Sequence, residues 1–273
     1  MALRLIIAFL ILPLCWLPSE PTAQKSDLAK TPYTEKSDKE FAFYPGGKLE
    51  IAAAAPGSFV IIGWEKSMVR VEMEKIFYYL SPDEARALAK SLPIRVTYTA
   101  TTARISTTSA QPGATMENNI KVFVPRGRTD LGIKINKGDL SISSLSGSVE
   151  ATLEEGNIEA RDVAGYFSLV TKRGDLNIEL SGARWAGYGF WGKTSEGSIE
   201  LRIPTEFSAA LQLGTKDGKI SVDYPEQMVQ GESVPLRVLE KNKAASVSTP
   251  IGTGGAPINL VTSSGNIVFK GKK

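Results

Sequence analysis

The chain contains no histidine. That removes the side chain most often used as a general base, the commonest zinc and copper ligand, and the central member of a Ser-His-Asp triad. It contains one cysteine, Cys15, inside the first apolar stretch. Beyond that residue there is no thiol for catalysis, soft-metal ligation or a disulfide, so packing alone must hold the body together. No hydrophobic run approaches the about 20 residues that a membrane-spanning helix requires. Concentrated charge is missing as well. The 32 basic and 29 acidic residues are interspersed and leave a net charge of +3. Nucleic-acid binding calls for a basic footprint, which this pattern does not supply. An enzyme built on this chain would have to work with Asp, Glu, Lys, Arg, Tyr or Ser.

What is present begins with a targeting pattern. Arg4 precedes LIIAFLILPLCWL, an apolar run from Leu5 to Leu17 interrupted by Pro13. The run has the length and flank of a secretory signal. Ala23 offers a small residue at a cut before Gln24, so residues 1–23 read as a signal peptide. The address is then periplasm, cell surface or extracellular space. A lipid anchor on Cys15 would want a small residue just before it, and Leu14 is not small. Residues 24–40 are polar and aperiodic and read as a flexible tether.

Residues 41–273 read as one β-rich domain. Val69, Val71 and Met73 alternate with Arg70, Glu72 and Glu74, the period of a half-buried strand. One helix is expected, over 81–92. Ser81 is its N-cap, Pro82 its first residue, Glu84 closes a capping box, and Pro93 stops it. Ala85, Leu88, Ala89 and Leu92 share one face. IRVTYTATTARIST and IKVFVPRG add further strands around a loop at 108–119.

From about residue 127 the chain is repetitive. Gly138, Gly147, Gly156, Gly165 and Gly174 stand nine residues apart. Two places after each comes an apolar residue (Leu140, Val149, Ile158, Phe167, Leu176), and four places after comes another. The placement of a third apolar residue alternates between successive nine-mers. The repeating unit is therefore a pair of nine-mers, with two strands and two turns. SEGSIELRIP, KDGKISVDYP and SSGNIVFKG carry the phrase onward. So small a unit buries its apolar face only by stacking on neighbours. The expected fold is therefore all-β, a β-solenoid of stacked two-strand units preceded by a strand-rich part with one short α-helix. An antiparallel β-sandwich is the alternative.

LEIAAAAPGSFVIIGWEKSMVRVE, VFVPRG, the GDLSI…GNIEA…GDLNI ladder and RWAGYGFWGKTSEGSIELRIP occur in that order along the chain. In this the chain resembles a bacterial family of exported β-strand-repeat proteins, usually labelled "putative adhesins" and of unknown function. The resemblance covers roughly Phe41 to Lys273. It implies a β-helix-like fold and an envelope or extracellular address, and it supplies no catalytic residues.

Three features invite a functional reading. GARWAGYGFWGK, 182–193, gathers Trp185, Tyr188, Phe190 and Trp191 among glycines where the nine-residue rhythm fails. Flat rings there could meet a glycan or a protein partner, or fold back to cover the core, and covering is the commoner use of large aromatics. The carboxylates Glu150, Glu154, Glu155, Glu159, Asp162, Asp175 and Glu179 occupy outward slots. Lys172 and Arg173 follow Glu154 and Glu155 by one full repeating unit and are expected to face them in a cross-strand charge ladder. The Arg173-Gly174-Asp175 triplet looks like an adhesion-receptor ligand, yet its glycine and aspartate fill the repeat's own turn, as Gly138 and Asp139 do. No metal or cofactor is expected, because the nine-mers lack the glycine pairs and aspartate ladder of calcium-binding repeats. The resulting expectation is a non-enzymatic envelope protein that binds or adheres. A polysaccharide-acting enzyme and a self-associating structural protein are the alternatives.

Overall fold

The computed structural model describes residues 32–109, 115–229 and 232–272. The expected signal peptide, Cys15 and the first part of the expected tether lie outside the described residues. In chain order the elements are β1 (Tyr33–Ala42), β2 (Lys48–Ala53), β3 (Gly57–Trp64), β4 (Met68–Phe77), the helix α1 (Pro82–Ser91), β5 (Arg95–Tyr98), β6 (Thr102–Thr107) and β7 (Met116–Pro125). Then follow β8 (Gly127–Ser143), β9 (Ser146–Glu155), β10 (Ile158–Arg161), β11 (Ala164–Arg173), β12 (Leu176–Glu179), β13 (Gly189–Glu196) and β14 (Ile199–Pro204). The last are β15 (Ala209–Asp217), β16 (Ile220–Asp223), β17 (Gln227–Val229), β18 (Glu232–Val234), β19 (Leu239–Lys241), β20 (Ala244–Ile251), β21 (Pro257–Ser264) and β22 (Ile267–Lys272). The protein is all-β with a single described helix.

All strands but the β17–β18 hairpin join one large mixed sheet of 20 strands, which does not close on itself. The sheet consists of two ladders that share β8. The first runs β1-β4-β7-β3-β8-β10-β12-β14-β22-β16. The second runs β5-β6-β2-β8-β9-β11-β13-β21-β15-β20-β19. Apart from those of β19 and β20, every pairing in this sheet from β8 onward is parallel, which is the opposite of a meander. The register equals the sequence period: Leu140, Ile158 and Leu176 stack on one another, each one repeating unit from the next. A one-residue slip would turn every apolar side chain outward, so the buried face holds this register.

Inward residues of both ladders form one continuous core. Leu140, Ile142, Ile158, Leu176, Ile199, Leu201, Ile267 and Phe269 come from the first ladder and Val149, Phe167, Leu169, Phe190, Ile258 and Leu260 from the second; none is more than 2% exposed. Burying such side chains stabilises by about 1.5–3 kcal/mol each. That burial is what holds a body without disulfides.

Stacking order departs from chain order at both ends. Each layer is one strand of the second ladder followed by one of the first. At the N-terminal end β2 and β3 lie between β6–β7 on one side and β8 on the other. At the C-terminal end β21 and β22 lie between β13–β14 and β15–β16. The phrase at 263–271 therefore stacks before the phrase at 216–225, although it follows it in sequence. Antiparallel strands finish three of the four ladder ends: β4 and β1, β5, and β20 with β19.

β1 corrects one expectation. Residues 33–40, read as part of a tether, pair with β4 over their whole length. Their charges mislead because none of residues 33–40 is fully buried, Tyr33, Glu35 and Lys39 being only half-buried, and charge on an edge discourages pairing with other chains. The helix forms as expected, with the Ser81–Glu84 capping box in place. Ala85 and Ala89 pack with Ala55, Phe77 and Met116 in a second, small cluster. The buried Lys75 Nζ donates to the Ala89 carbonyl at 3.0 Å near the helix C-terminus, where a cation is favoured.

The turns are built on a column of glycines. A Cβ on Gly138, Gly156, Gly174, Gly197, Gly265 or Gly218 would stand 1.9–2.1 Å from the carbonyl oxygen of the glycine in the adjoining layer. Side chains beside the column complete it. The hydroxyls of Thr171, Thr194, Thr262 and Thr215, buried on the inward face, donate to the carbonyls of Gly156, Gly174, Gly197 and Gly265 at 2.8–2.9 Å. On the solvent side Asp139, Asn157, Asp175 and Asn266 each accept a backbone N–H from the adjoining layer, at 2.7–2.9 Å.

Gly174 has φ +149°, and its missing Cβ makes room for the Gly156 carbonyl. Gly174→Ala is expected to reduce unfolding free energy by more than about 3 kcal/mol, through strain and a forced separation of layers. Gly127→Ala, where nothing lies within 4 Å of the added carbon, is expected to change it by less than about 0.5 kcal/mol. Denaturant midpoints of the two variants make the comparison.

Candidate functional site

The aromatic segment lies where the second ladder is interrupted. Phe167 pairs with Val149, one repeating unit before it. Its partner on the other side, Phe190, stands five positions further along the chain than one unit would place it. The five extra residues are fixed to the preceding layer. The Gly165 N–H donates to the Ala186 carbonyl at 2.8 Å, and the Tyr188 N–H donates to the Gly165 carbonyl at 2.9 Å. The Trp185 indole N–H donates to the same Gly165 oxygen at 3.1 Å.

This backbone path divides the four aromatics. Trp185 and Phe190 are buried. Trp185 meets Phe167 and Phe190 edge-on, at 6.1 and 5.5 Å between centroids, while Phe167 and Phe190 stack at 5.9 Å. Both complete the core, so of the two uses the sequence left open for them they take the covering one and are not available as partner contacts. Trp191 follows Phe190 in β13 and therefore points outward. Its ring reaches back over Gly189 and packs on Tyr166 at 5.3 Å. Tyr188 is 82% exposed.

Trp191 belongs to an outward row that the register sets: Glu150, Ser168, Trp191, Asn259 and Gln212. The Asn259 amide donates to Gln212 Oε1 at 3.3 Å. The result is an aromatic pair beside amide and hydroxyl groups on a surface whose backbone is hydrogen-bonded on both sides. Such a face can stack against a ring and bond to its substituents without rearranging.

A second outward aromatic pair escaped the sequence reading. Trp64 and Phe123 lie 5.2 Å apart on the first ladder, with Lys66 and Lys121 over their rings. The signal was available in FVIIGW and VFVP, which are apolar at outward as well as inward positions.

The Arg-Gly-Asp triplet is occupied by the fold. Arg173 pairs with Glu155 at 3.5 Å, Gly174 is a member of the column, and Asp175 Oδ1 accepts the Ser198 N–H at 2.7 Å. The expected charge ladder is present: Lys172 pairs with Glu154 at 3.6 Å, and Glu155 sits between Lys137 and Arg173. Glu159 pairs with Arg161, Glu179 with Lys272, and Asp162 accepts the Ser181 hydroxyl. Hydrogen bonds hold carboxyls below the ordinary carboxylate value: from Lys137 for Glu155, from Lys272 for Glu179, and from Lys270 for Glu200. Glu50 is lowered in the same way by Lys48, and Glu74 by Asn119 and then Lys36. These groups stay ionised at neutral pH, whereas a general acid needs a carboxyl raised toward neutrality. Among the described residues no group of three or more acidic, His or Cys side chains is arranged to hold a metal. No helix among them is long and apolar enough to cross a membrane.

No family model and no curated protein matches the chain. Solved structures align with it at low identity. One is described as a "putative cell adhesion protein" from Clostridium sporogenes, 11% identical, covering 87% of this chain and 100% of that one, with a TM-score of 0.43. Another is a "putative adhesin" from Bacteroides fragilis, 11% identical, covering 87% and 97%, with a TM-score of 0.35. A third is a "putative lipid binding protein" from Parabacteroides distasonis, 12% identical, covering 87% and 95%, with a TM-score of 0.27. The first two descriptions match the family that the sequence resembles.

The depressed carboxyls carry a pH prediction. An unfolded chain takes up protons near the ordinary value of 4.5, where the folded chain still refuses them. The stability they contribute is therefore complete above that value and lost as pH falls through the lower folded-state values. Thermal melts are expected to show a constant Tm from pH 7 to about 5 and a decline below about 4.5.

Proposed function

We propose that this chain is an exported, non-enzymatic binding protein of the cell envelope. In this reading its two ladders form a β-solenoid whose outer face is a rigid platform for a glycan or protein surface. The observation that carries it is the outward Tyr166–Trp191 pair, with exposed Tyr188 beside it, on a register-locked sheet. The segment at 1–23 supports export. The domain in this reading runs from about residue 32, since β1 belongs to the sheet.

Catalysis on polysaccharide would call for carboxyls poised to give and take protons. The ion-paired, downward-shifted carboxyls favour binding instead. Self-association through ladder edges is discouraged by the charges of β1 and by the short β5, β16 and β19.

The test is co-sedimentation of the mature protein with isolated envelope, alongside a glycan array. Tyr188→Ala with Trp191→Ala is expected to weaken binding at least tenfold while leaving Tm within a few degrees. Trp185→Ala is expected to cost about 3–5 kcal/mol of stability, as a buried aromatic does. Undiminished binding by the Tyr188/Trp191 variant would reject this face as the platform.

A further inference from the structure

Two glycines in the middle of long strands have no structural reason to be glycine. Gly132 in β8 and Gly214 in β15 point outward, and neither has a positive φ. A Cβ on Gly132 would come no closer than 3.9 Å to Glu50, and one on Gly214 no closer than 3.6 Å to Val261. The column glycines, by contrast, each face a carbonyl near 2 Å. Glycine inside a strand weakens it, and where no turn or bulge demands it, it marks a place where something approaches the backbone. Each of the two lies on the floor of a groove.

The grooves differ in chemistry. Over Gly132, of about 610 Å³, opposite charges neutralise one another, as Lys48 pairs with Glu50 at 3.0 Å. Over Gly214, of about 580 Å³, they do not. The register lays Lys193, Val261, Gly214, Ser246 and Leu239 in one outward row across five strands. Leu239 is 59% exposed and Val261 37%, the only pair of large aliphatic side chains exposed to this degree among the described residues. Lys193, Lys216 and Lys241 rim the groove, and none has an ion-pair partner among the described residues; Glu240 is the single acidic residue on the rim. An aliphatic floor, a gap where a side chain would stand and an excess of unpaired ammonium groups together fit one class of ligand.

We propose that the groove over Gly214 binds an anionic amphiphile. The alkyl chain lies over the backbone at Gly214 between Val261 and Leu239, where a side chain would exclude it. The anionic head meets the lysine rim, whose methylene stems extend the apolar wall. The volume is in the range of small-molecule sites, and the mixture of apolar lining with a few charged groups is typical of them. This site is separate from the Tyr166–Trp191 platform in chemistry and does not depend on it.

Isothermal titration of the mature protein with dodecanoate, dodecyl maltoside and acetate separates the contributions of chain and charge. Dodecanoate is expected to bind at least tenfold more tightly than either of the others. Gly214→Leu is expected to weaken dodecanoate binding at least tenfold while leaving Tm unchanged or raised, because leucine suits a strand better than glycine. The surface variant Lys193→Gln, Lys216→Gln, Lys241→Gln leaves the strand untouched. It is expected to lose the preference for dodecanoate over dodecyl maltoside. Equal binding of dodecanoate and acetate, equal binding of dodecanoate and dodecyl maltoside by the wild type, or full dodecanoate binding by either variant would overturn the proposal.

Discussion

The architecture depends on how closely successive layers approach at one corner. There the carbonyl oxygen of one glycine occupies the space in which the next glycine's Cβ would stand. Strands of a parallel ladder must lie within hydrogen-bonding distance along their whole length, including the point where the chain turns. Any side chain at that corner would pry the layers apart. The same close approach leaves a carbonyl that needs a donor, and the buried threonines at 171, 194, 215 and 262 supply one. Glycine, threonine and the aspartate or asparagine beside the glycine are thus three parts of one corner.

This constraint also accounts for what the surface can offer. With corners and strands committed to the stack, variation is confined to outward strand positions and to insertions between layers. The segment before β13 uses an insertion to send Trp185 inward and Tyr188 outward. The outward row containing Trp191 uses strand positions alone. Charged and small polar residues share the remaining slots, and the ion pairs among them are mostly exposed and individually weak. They keep the surface soluble and evenly charged more than they hold the layers together.

Much of this was legible in the chain. The period of nine and its doubling followed from Gly138 through Gly174, and the structure places Lys172 on Glu154 and Arg173 on Glu155 as that period requires. The helix was legible because capping is local. The order of layers was not. A repeat specifies what a strand can pair with but not which equivalent neighbour it finds, so the position of β21 and β22 is decided by global packing. β1 was missed because residues 33–40 are charged and none is fully buried, so the strand is specified by its pairing with β4 and leaves no apolar alternation to read. Trp185 and Phe190 were ambiguous because rings suited to a binding face are equally suited to a core, and only the five-residue shift in register separates the two uses.

The intercalated final layer bears on how such a chain can be completed. A polypeptide is made and delivered from its N-terminus, and a repeat stacked in chain order could add one layer at a time to a growing end. Here the strands that join β13–β14 to β15–β16 are nearly the last to emerge. Until they arrive, the edges of β13–β14 and β15–β16 lack their native partner, and because both pair with the intervening strands in one register, joining them directly would match side chains but omit a layer. β21 and β22 are thus a keystone: strands made late close a gap between layers made earlier.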